Sequence, residues 1–508
     1  MPTPSKTSLY DHPPLKPVAA GGARLGAAYR ADRNGWQFVH IEGSPADRGW
    51  QHGWLLAAEI RAAISSIKQL IWLDSATEFG WWAENANAMW LDKLKSDGDG
   101  SLGGFGMEIL DELQGIVDGA NARFDERAPW LTLQDLLGWN GYPELVCQWF
   151  PNVCHHAITP PIPLPPPGTA CDERRQPPHA SFRNANRFVP HHCSAFVATG
   201  EYTKDGGVVG AHTTWQRFAN GDFYNIILEI GIPEGAGHGI LMQTAPGYVA
   251  STMDFGQNDA GMIAISTSIN GVNFLPEELP YFLRARRAGQ HATTIEEWIA
   301  LFREGNNGGY SNNWLLAEAA TGRITSYDLT GNNESQAPII SSGYYASYNL
   351  PQSHEIQVRE IGSPSPQNIA NSSVSRRMRF DQLMSEHKGA IDAITAQQVI
   401  ADHYDVYKRA VDPSSRTICG HSDNVNGAAG SNQSPYDPFG SLDAKVTTQS
   451  CAREGSFQAR WGRACGTAFN AKTFFEQNPQ FDSLKHLTAD RPSQPWTSMP
   501  PHNKNSLE

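Results

Sequence analysis

The chain has 508 residues, of which 40% are hydrophobic and 18% charged, a composition typical of a globular protein with ample material for a core. Its net charge of −13 argues against a nucleic-acid partner, because phosphate binding requires clustered Lys and Arg side chains. No stretch approaches the roughly 18 apolar residues of a membrane-spanning helix, and the N-terminus lacks the apolar core of a signal peptide. We therefore expect a soluble protein without an integral membrane segment. Its compartment is open: cytoplasmic, or secreted or periplasmic if a leader has been removed.

The first clear periodic element begins after residues 1–43, which are interpreted as an N-terminal extension. Ser44 can cap a helix and Pro45 suits the first helical position. Apolar residues then recur at helical spacing, and further helical patterns follow at 105–125 and 132–146. The sequence therefore predicts a helical region over residues 44–150.

A proline-rich segment, residues 151–192, separates this region from the rest of the chain. So many prolines exclude regular structure and favour an extended, exposed linker. From residue 193 the apolar residues alternate as in strands, and Asp205-Gly206 is typical of a hairpin turn. Helical patterns interrupt the strands at 294–304, 375–388 and 394–405. Residues 193–508 are therefore predicted to form an α+β body.

Cys193 opens the first of these strands, directly after the proline-rich segment, and three interpretations compete for it. It can be a buried apolar residue, as free cysteines usually are. It can be a zinc ligand, because CHH at 154–156 mirrors HHC at 191–193, although structural zinc sites more often use tight knuckles. It can also be a nucleophile exposed by chain cleavage, whose new α-amine, with a pKa of about 8, serves as its base. The last interpretation also explains the linker.

Several motifs keep their order from about residue 191 to residue 450: HCSAFV, GGVVGAHTTW, AISTSINGVN, NNGGYSNNW, GYYASYNLP, HSDNVN and FGSLDAKVT. Together they resemble the motifs of the phospholipase B-like (lamina ancestor) family of N-terminal nucleophile cysteine hydrolases. The segment DRGWQHG is also similar to an element of the related isopenicillin N acyltransferase and linear amide hydrolase group.

The resemblance implies an αββα fold, in which two antiparallel sheets lie between helical layers. It implies self-cleavage between His192 and Cys193, so that residues 1–192 become a separate chain or a partly excised pro-segment, and residues 193–508 become the catalytic body. The implied reaction is hydrolysis of an amide C–N bond or an acyl ester, without a metal or an organic cofactor.

The resemblance also assigns catalytic residues. Cys193 is the nucleophile, and Asn312 is the expected oxyanion donor. Thr267 is expected to bind the α-amine or the oxyanion, and His212 belongs to the same site. An arginine is expected to complete it, and the segment SSVSRRMRF offers Arg376, Arg377 and Arg379, of which Arg376 is the first candidate.

Further positions are expected to contact the substrate: Thr214, Trp215, Asn270, Asn313 and Trp314. Two departures from the family pattern stand beside them. The family's Asn falls on Thr213, and the aspartate of the related bile-salt hydrolase pattern has no counterpart near Thr214.

These expectations favour an enzyme that hydrolyses the linear amide of a small molecule or lipid. A deacylating phospholipase B-type esterase and a catalytically lapsed binding protein on the same fold are the alternatives, and a zinc-binding module using residues 154–156 and 191–193 is a third. A homo-oligomer of processed two-chain protomers is also expected.

Overall fold

The computed structural model describes residues 24–96, 103–124, 128–155, 157–163, 192–251, 253–269, 273–361, 365, 367–424 and 438–500. Most of the predicted proline-rich linker and the predicted substrate contact Asn270 lie outside these ranges.

Helices occupy much of residues 44–150, where the sequence predicts them, and recur between and after the strands. They are α1 (Pro45–Leu55), α2 (Ala57–Ser75), α3 (Phe79–Lys95), α4 (Phe105–Arg123), α5 (Leu133–Asn140), α6 (Tyr142–Glu144), α7 (Phe150–Cys154), α8 (Phe218–Gly221), α9 (Tyr281–His291), α10 (Ile295–Arg303), α11 (His354–Ile356), α12 (Ser372–Glu386), α13 (Ala393–Ile400), α14 (Gln449–Arg453) and α15 (Ala471–Gln477). Within the described ranges, no helix combines the length and the apolar character that crossing a membrane requires.

The larger sheet has ten strands in the order β1-β2-β3-β6-β7-β8-β9-β10-β11-β12. Neighbouring strands are antiparallel except for the parallel pair β3 and β6. The strands are β1 (Arg24–Leu25), β2 (Ala28–Arg33), β3 (Trp36–Glu42), β6 (Ile226–Gly231), β7 (Ile240–Thr244), β8 (Phe255–Asn258), β9 (Met262–Ser268), β10 (Asn312–Glu318), β11 (Ile324–Leu329) and β12 (Glu334–Gln336).

The second sheet follows the order β13-β4-β5-β17-β18-β19, and β16 also pairs with β5. A separate two-stranded ribbon joins β14 to β15. These strands are β4 (His192–Thr199), β5 (Val209–Arg217), β13 (Gly343–Ser347), β14 (Tyr404–Asp405), β15 (Ala410–Val411), β16 (Phe439–Ser441), β17 (Asp443–Thr448), β18 (Phe457–Trp461) and β19 (Thr497–Met499).

The two sheets pack face to face across an apolar layer that includes Val197, Ile265 and Leu315. The N-terminal helices cover the outer face of the ten-stranded sheet, and α12 and α13 cover the outer face of the other. Alternate residues of each strand therefore face the other sheet or the helices. The predicted α+β, αββα architecture is confirmed.

The stretch interpreted as an N-terminal extension contributes strands β1 to β3 to the ten-stranded sheet. Val39 pairs in register with Leu228 along the parallel β3–β6 ladder. The sequence signal was weak because β2, AYRADR, carries charged residues at its solvent-facing end. The N-terminal part of the chain is thus built into the same sheet as the C-terminal part.

Helices α1 and α4 approach each other closely because glycines line their contact. A Cβ on Gly49 would lie 2.0 Å from the Glu112 carbonyl oxygen, and one on Gly53 would lie 2.1 Å from that of Ile116. The glycines of the DRGWQHG segment therefore serve helix packing, which the motif alone does not reveal.

We expect Gly53→Ala to lower the free energy of unfolding by about 1–3 kcal/mol, because the added methyl group collides with backbone atoms of α4. Gly80→Ala on α3 is the matched control: a Cβ there has nothing within 4 Å. That change should be neutral or stabilise by about 0.5–1 kcal/mol. Urea denaturation of the two variants measures both effects, and equal stabilities would refute the packing role.

Candidate active site

Cys193 lies near the start of β4, fully buried, opposite Thr214 of β5. Strand alternation gives it the same side as Ala195 and Val197, which belong to the layer between the sheets. Its backbone N–H donates to Asn349 Oδ1 at 3.0 Å, and its carbonyl accepts from Arg376 Nη1. Side chains from other parts of the chain therefore hold both the backbone nitrogen and the backbone carbonyl of Cys193.

Asp254 supplies a carboxylate beside the Cys193 thiol. Cys193 Sγ lies 3.9 Å from Asp254 Oδ2, which also accepts from the Tyr310 hydroxyl at 3.2 Å. Burial raises the pKa of Asp254 to about 7. Burial is the largest cause that raises the pKa of the Cys193 thiol well above its ordinary value, and the charge of Asp254 is the second. The thiol is therefore protonated near neutral pH and needs a base before it can attack.

A second buried charge pair borders the site on β17. Lys445 Nζ donates to Asp443 Oδ1 at 2.6 Å and to Thr214 Oγ1 at 2.8 Å. The other oxygen of Asp443 accepts from Gln243 Nε2 at 2.8 Å. Asp443 Oδ1 also accepts from the Thr214 backbone N–H at 3.3 Å. Thr214 therefore has a carboxylate partner, although that residue lies on a strand about 230 residues further along the chain.

His212 lies on β5 two residues before Thr214, opposite Ala195 and Lys445. One of its ring nitrogens lies within 4.8 Å of both the Cys193 sulfur and an Asp254 oxygen. Burial, and then the charge of Lys445, lowers the pKa of His212 well below its ordinary value. His212 is therefore neutral at physiological pH, and neither ring nitrogen has a hydrogen-bond partner among the described residues.

Arg376, chosen from the SSVSRRMRF segment, lies at the site. Its Nη2 donates to Asn349 Oδ1 at 2.9 Å, and its guanidinium carbon lies 4.6 Å from the centre of the Trp215 ring. Arg379 points elsewhere and pairs with Asp402. A charged group fully buried in this way keeps its place only when several acceptors surround it.

Thr267 belongs to the hydrogen-bonded network that holds Asn349. Its hydroxyl accepts from the Asn349 backbone N–H at 3.0 Å and lies 2.7 Å from Ser347 Oγ. Asn349 has a positive φ of 64°, and its Oδ1 accepts from both the Cys193 N–H and Arg376. Thr267 was predicted to bind the α-amine or the oxyanion directly. In this structure it contacts Asn349, which in turn binds the Cys193 nitrogen.

Asn312 and Asn313 begin β10 and have different surroundings. Asn313 Nδ2 donates to Ser326 Oγ at 2.8 Å and to Asp328 Oδ1 at 2.7 Å. Asn312 is fully buried, and neither its Oδ1 nor its Nδ2 has a hydrogen-bond partner in the described part of the chain. A buried amide without partners is rare. Asn312 lies on the same face of β10 as Trp314, so its role as oxyanion donor stays a prediction.

Trp314 does not join the Cys193 cluster. It packs on the helix-facing side of the ten-stranded sheet, with ring centres 4.8 Å from Trp298 and 5.0 Å from Phe302. It also lines a cavity of about 50 Å³ there, much smaller than the about 300–1,000 Å³ of typical ligand pockets. Trp314 is therefore packed in the core on the helix-facing side, away from Cys193.

The structure argues against the zinc alternative at residues 154–156 and 191–193, of which His156 and His191 lie outside the described residues. Cys154 is disulfide-bonded, so its sulfur is not available as a thiolate ligand. Cys193 is a free cysteine whose sulfur faces Asp254. The peptide unit joining His192 to Cys193 enters β4 in register with Trp215 and Thr214.

Residue-level prediction missed several groups that contact Cys193 or its neighbours: Asp254, Tyr310, Asn349, Asp443 and Lys445. Four of them lie inside the motifs NNGGYSNNW, GYYASYNLP and FGSLDAKVT quoted above. Those motifs could therefore have indicated these residues as candidates for the site. Asp254 had no such signal, because it lies before β8 at a positive φ of 61°, outside any motif, and only the packing of the two sheets brings it to the thiol.

A sequence profile of the family described as Phospholipase B matches residues 106–492. Among curated proteins, Phospholipase B-like protein B of Dictyostelium discoideum is 21% identical over 68% of this chain and 61% of its own length. Phospholipase B-like 1 of Rattus norvegicus is 24% identical over 50% of this chain and 49% of its own length. Phospholipase B-like protein F of D. discoideum is 31% identical over 26% of this chain and 24% of its own length. These matches span less than two thirds of each relative.

Among solved structures, a mutant of conjugated bile acid hydrolase from Clostridium perfringens aligns with 10% identity and a TM-score of 0.31, covering 53% of this chain and 89% of that chain. The family profile, in contrast, spans about three quarters of the chain, from within α4 to the segment before β19. It includes the segments that carry Cys193, Asp254, Asp443 and Arg376. The chain therefore belongs to the Phospholipase B family.

Proposed function

We propose that the chain is an N-terminal cysteine hydrolase that cuts itself before Cys193 and then hydrolyses an acyl amide or ester. One observation carries the proposal: the buried Cys193 thiol lies beside a carboxylate, while separate side chains hold the nitrogen and the carbonyl of the same residue. A cysteine that serves only as core packing needs none of these partners.

In the maturation step, Asp254 in its ionised form takes the proton of the Cys193 thiol. The sulfur attacks the carbonyl carbon of His192, the C–N bond breaks, and the released nitrogen takes a proton to become the α-amine of Cys193. Water then hydrolyses the thioester, which frees the thiol and leaves a carboxylate on His192. Asn349 already binds the nitrogen that becomes the amine.

In turnover, the α-amine is the base for its own thiol, and Asn312 donates to the oxyanion. The acyl group passes to sulfur as the amine or alcohol leaves with a proton, and water releases the acid. Cys193 is fully buried in the uncut chain, so substrate has no access to it. Cleavage and displacement of the segment before Cys193 would open the site, as in a zymogen.

The substrate class that we propose is an acylated small molecule or lipid with a linear amide. A deacylating phospholipase B-type esterase is the second candidate, favoured by the names of the relatives. Both reactions use the same thioester, so the Cys193 chemistry does not distinguish them.

The test is intact-mass analysis and N-terminal sequencing of the purified chain, followed by incubation with N-acyl amides and with phosphatidylcholine. We expect a fragment that begins at Cys193 and fatty acid release from the amide. Release from the phospholipid alone would select the esterase. A chain that stays uncut and releases no acid from either substrate would favour the lapsed binding protein.

The maturation step should depend on pH through Asp254. Its pKa of about 7 means that the carboxylate form, which accepts the thiol proton, accumulates as the pH rises through 7. We therefore expect the rate of self-cleavage to increase between about pH 6 and about pH 8 and then to level off. These two pH values lie about one unit below and above the pKa of Asp254.

Asp254→Asn should slow self-cleavage by about 10²–10⁴-fold and remove this pH dependence, because an amide cannot accept the proton. Asp259→Asn is the control, since that carboxylate is exposed and pairs with His238. The measurement is the fraction of cut chain against time after refolding at each pH. Unchanged kinetics in Asp254→Asn would show that another group is the base.

A further inference from the structure

Four side chains with metal-binding atoms converge at one point of the C-terminal half, apart from the Cys193 cluster. They are His403, Cys419, His421 and Cys465, and their ligand atoms all lie within 4.8 Å of one another. Cys419 and His421 are buried and the other two are half-buried. Both cysteines are free, so no disulfide accounts for the short distances.

The three distances that His421 Nε2 makes to the other ligand atoms match edges of a tetrahedron around a metal ion. Zn–S bonds of about 2.3 Å and Zn–N bonds of about 2.05 Å give edges of roughly 3.3 Å between nitrogens and roughly 3.6 Å between nitrogen and sulfur. His403 Nε2 and His421 Nε2 are 3.1 Å apart. Cys419 Sγ and Cys465 Sγ each lie 3.6 Å from His421 Nε2.

Hydrogen bonding alone does not account for this arrangement. His421 Nε2 has three close neighbours, the second imidazole and the two sulfurs, whereas a single ring nitrogen either donates one proton or accepts one. A shared metal ion would explain all three distances at once.

The surroundings also suit a thiolate ligand. The backbone N–H of Thr467 points at Cys465 Sγ from 3.5 Å, and the Thr467 hydroxyl lies 3.1 Å from the same sulfur. Donors of this kind orient and stabilise the ligands of structural metal sites. Two thiolates and two neutral imidazoles around a divalent ion have no net charge, which lowers the cost of burying the site.

We infer that His403, Cys419, His421 and Cys465 form a structural Zn²⁺ site. Two sulfur and two nitrogen ligands in a tetrahedron select zinc over harder cations, and four protein ligands leave no open position for catalysis. The site is separate from the hydrolase chemistry, which uses no metal in the proposed mechanism.

The ion would join three segments that are distant in sequence: the turn after α13, the loop before β16 and the turn after β18. Gly420, between two of the ligands, lies against the Trp215 ring, where a Cβ would come within 2.4 Å. Trp215 in turn supports the Arg376 guanidinium. The zinc site would therefore support the wall of the Cys193 cluster.

The experiment is metal analysis of the full chain, purified with a thiol reductant and without metal-affinity chromatography, and then equilibrated with Zn²⁺ and desalted. We expect about one zinc ion per chain. Cys465→Ser should reduce the ratio to near zero, and Cys451→Ser, which changes a free cysteine outside the cluster, should leave it at one. Cys193→Ser should also keep the ion, because the nucleophile cluster is not the metal site.

Substitution of Co²⁺ into the wild-type chain gives a readout that does not depend on how the variants fold. Tetrahedral cobalt absorption with a thiolate-to-cobalt charge-transfer band would support the site. A wild-type chain that retains no metal, a Cys419–Cys465 disulfide in the non-reduced mass spectrum, or zinc that is lost in Cys193→Ser but retained in Cys465→Ser would each overturn the inference.

Discussion

Cys193→Ala is expected to leave the chain as a single polypeptide of 55.7 kDa without hydrolase activity. In the proposed mechanism this thiol is the nucleophile twice, first towards the His192 carbonyl and then towards the substrate. Loss of the sulfur therefore removes both steps, whereas the fold should tolerate the smaller side chain in its buried position. Intact mass and acid release from an N-acyl amide measure the two losses in one preparation.

Cys193→Ser separates the two steps, because a hydroxyl can replace the thiol but is a weaker nucleophile at neutral pH. We expect slow but detectable cleavage from this variant. Cys451→Ser controls for the loss of a cysteine in general and should behave as the wild type. Cleavage at the same bond in Cys193→Ala would show that a contaminating protease makes the cut, and the proposal of self-processing would fail.

The second large effect concerns stability and lies at Glu112, which is buried between two arginines. Arg48 donates to Glu112 Oε2 at 2.9 Å, and Arg286 donates to both carboxylate oxygens at 2.9 and 3.0 Å. Glu112→Ala would leave two buried guanidinium groups without their shared partner. We expect a loss of about 3–5 kcal/mol in the free energy of unfolding.

Acid should reproduce part of this loss. Burial alone would raise the pKa of Glu112, but Arg286 and Arg48 outweigh it, so that the pKa lies below its ordinary value of 4.5. A depressed carboxyl pKa stabilises the fold above that ordinary value, and the contribution disappears as the pH falls through the folded-state pKa. The Glu112→Ala variant should accordingly lose less stability than the wild type on acidification.

Denaturant unfolding at pH 7 and below pH 4.5 measures both effects. Glu476→Ala is the control, because its ion pair with Lys472 is exposed and 4.0 Å long, and exposed pairs contribute about 0–1 kcal/mol. If Glu112→Ala were no less stable than Glu476→Ala, the buried pairs would not hold α1, α4 and α9 together.

The α+β class could be predicted from the sequence because its signals are local, whereas the αββα layering was implied only by the family resemblance. The change from helical to strand periodicity near Cys193 marks the boundary between the helices and the second sheet. The cap at Ser44 is observed, with its side chain accepting from the Asp47 backbone. The strands before residue 43 were missed because charged residues interrupt their apolar pattern.

The candidate site was harder to predict, because folding brings its residues together from distant parts of the chain. Arg376, one of three neighbouring arginines in the sequence, lies beside Cys193, and its role remains a proposal. Asp254 and Lys445 reach the cluster from loops and strands far from residue 193, and spacing rules give no information on such contacts. The proposed zinc ligands were not predicted from the sequence for the same reason, because they are spread from His403 to Cys465 and form no compact motif.

The parallel pairing of β3 with β6 has a consequence for the product of the proposed cleavage. The fragment that ends at His192 would contribute β1 to β3 to a sheet completed by the other fragment, and its Glu112 would remain bonded to Arg286 across the division. The two polypeptides should therefore separate on a denaturing gel yet elute as one particle from a sizing column. Folding has to precede the cut, so fragments produced separately and then mixed should not regain activity.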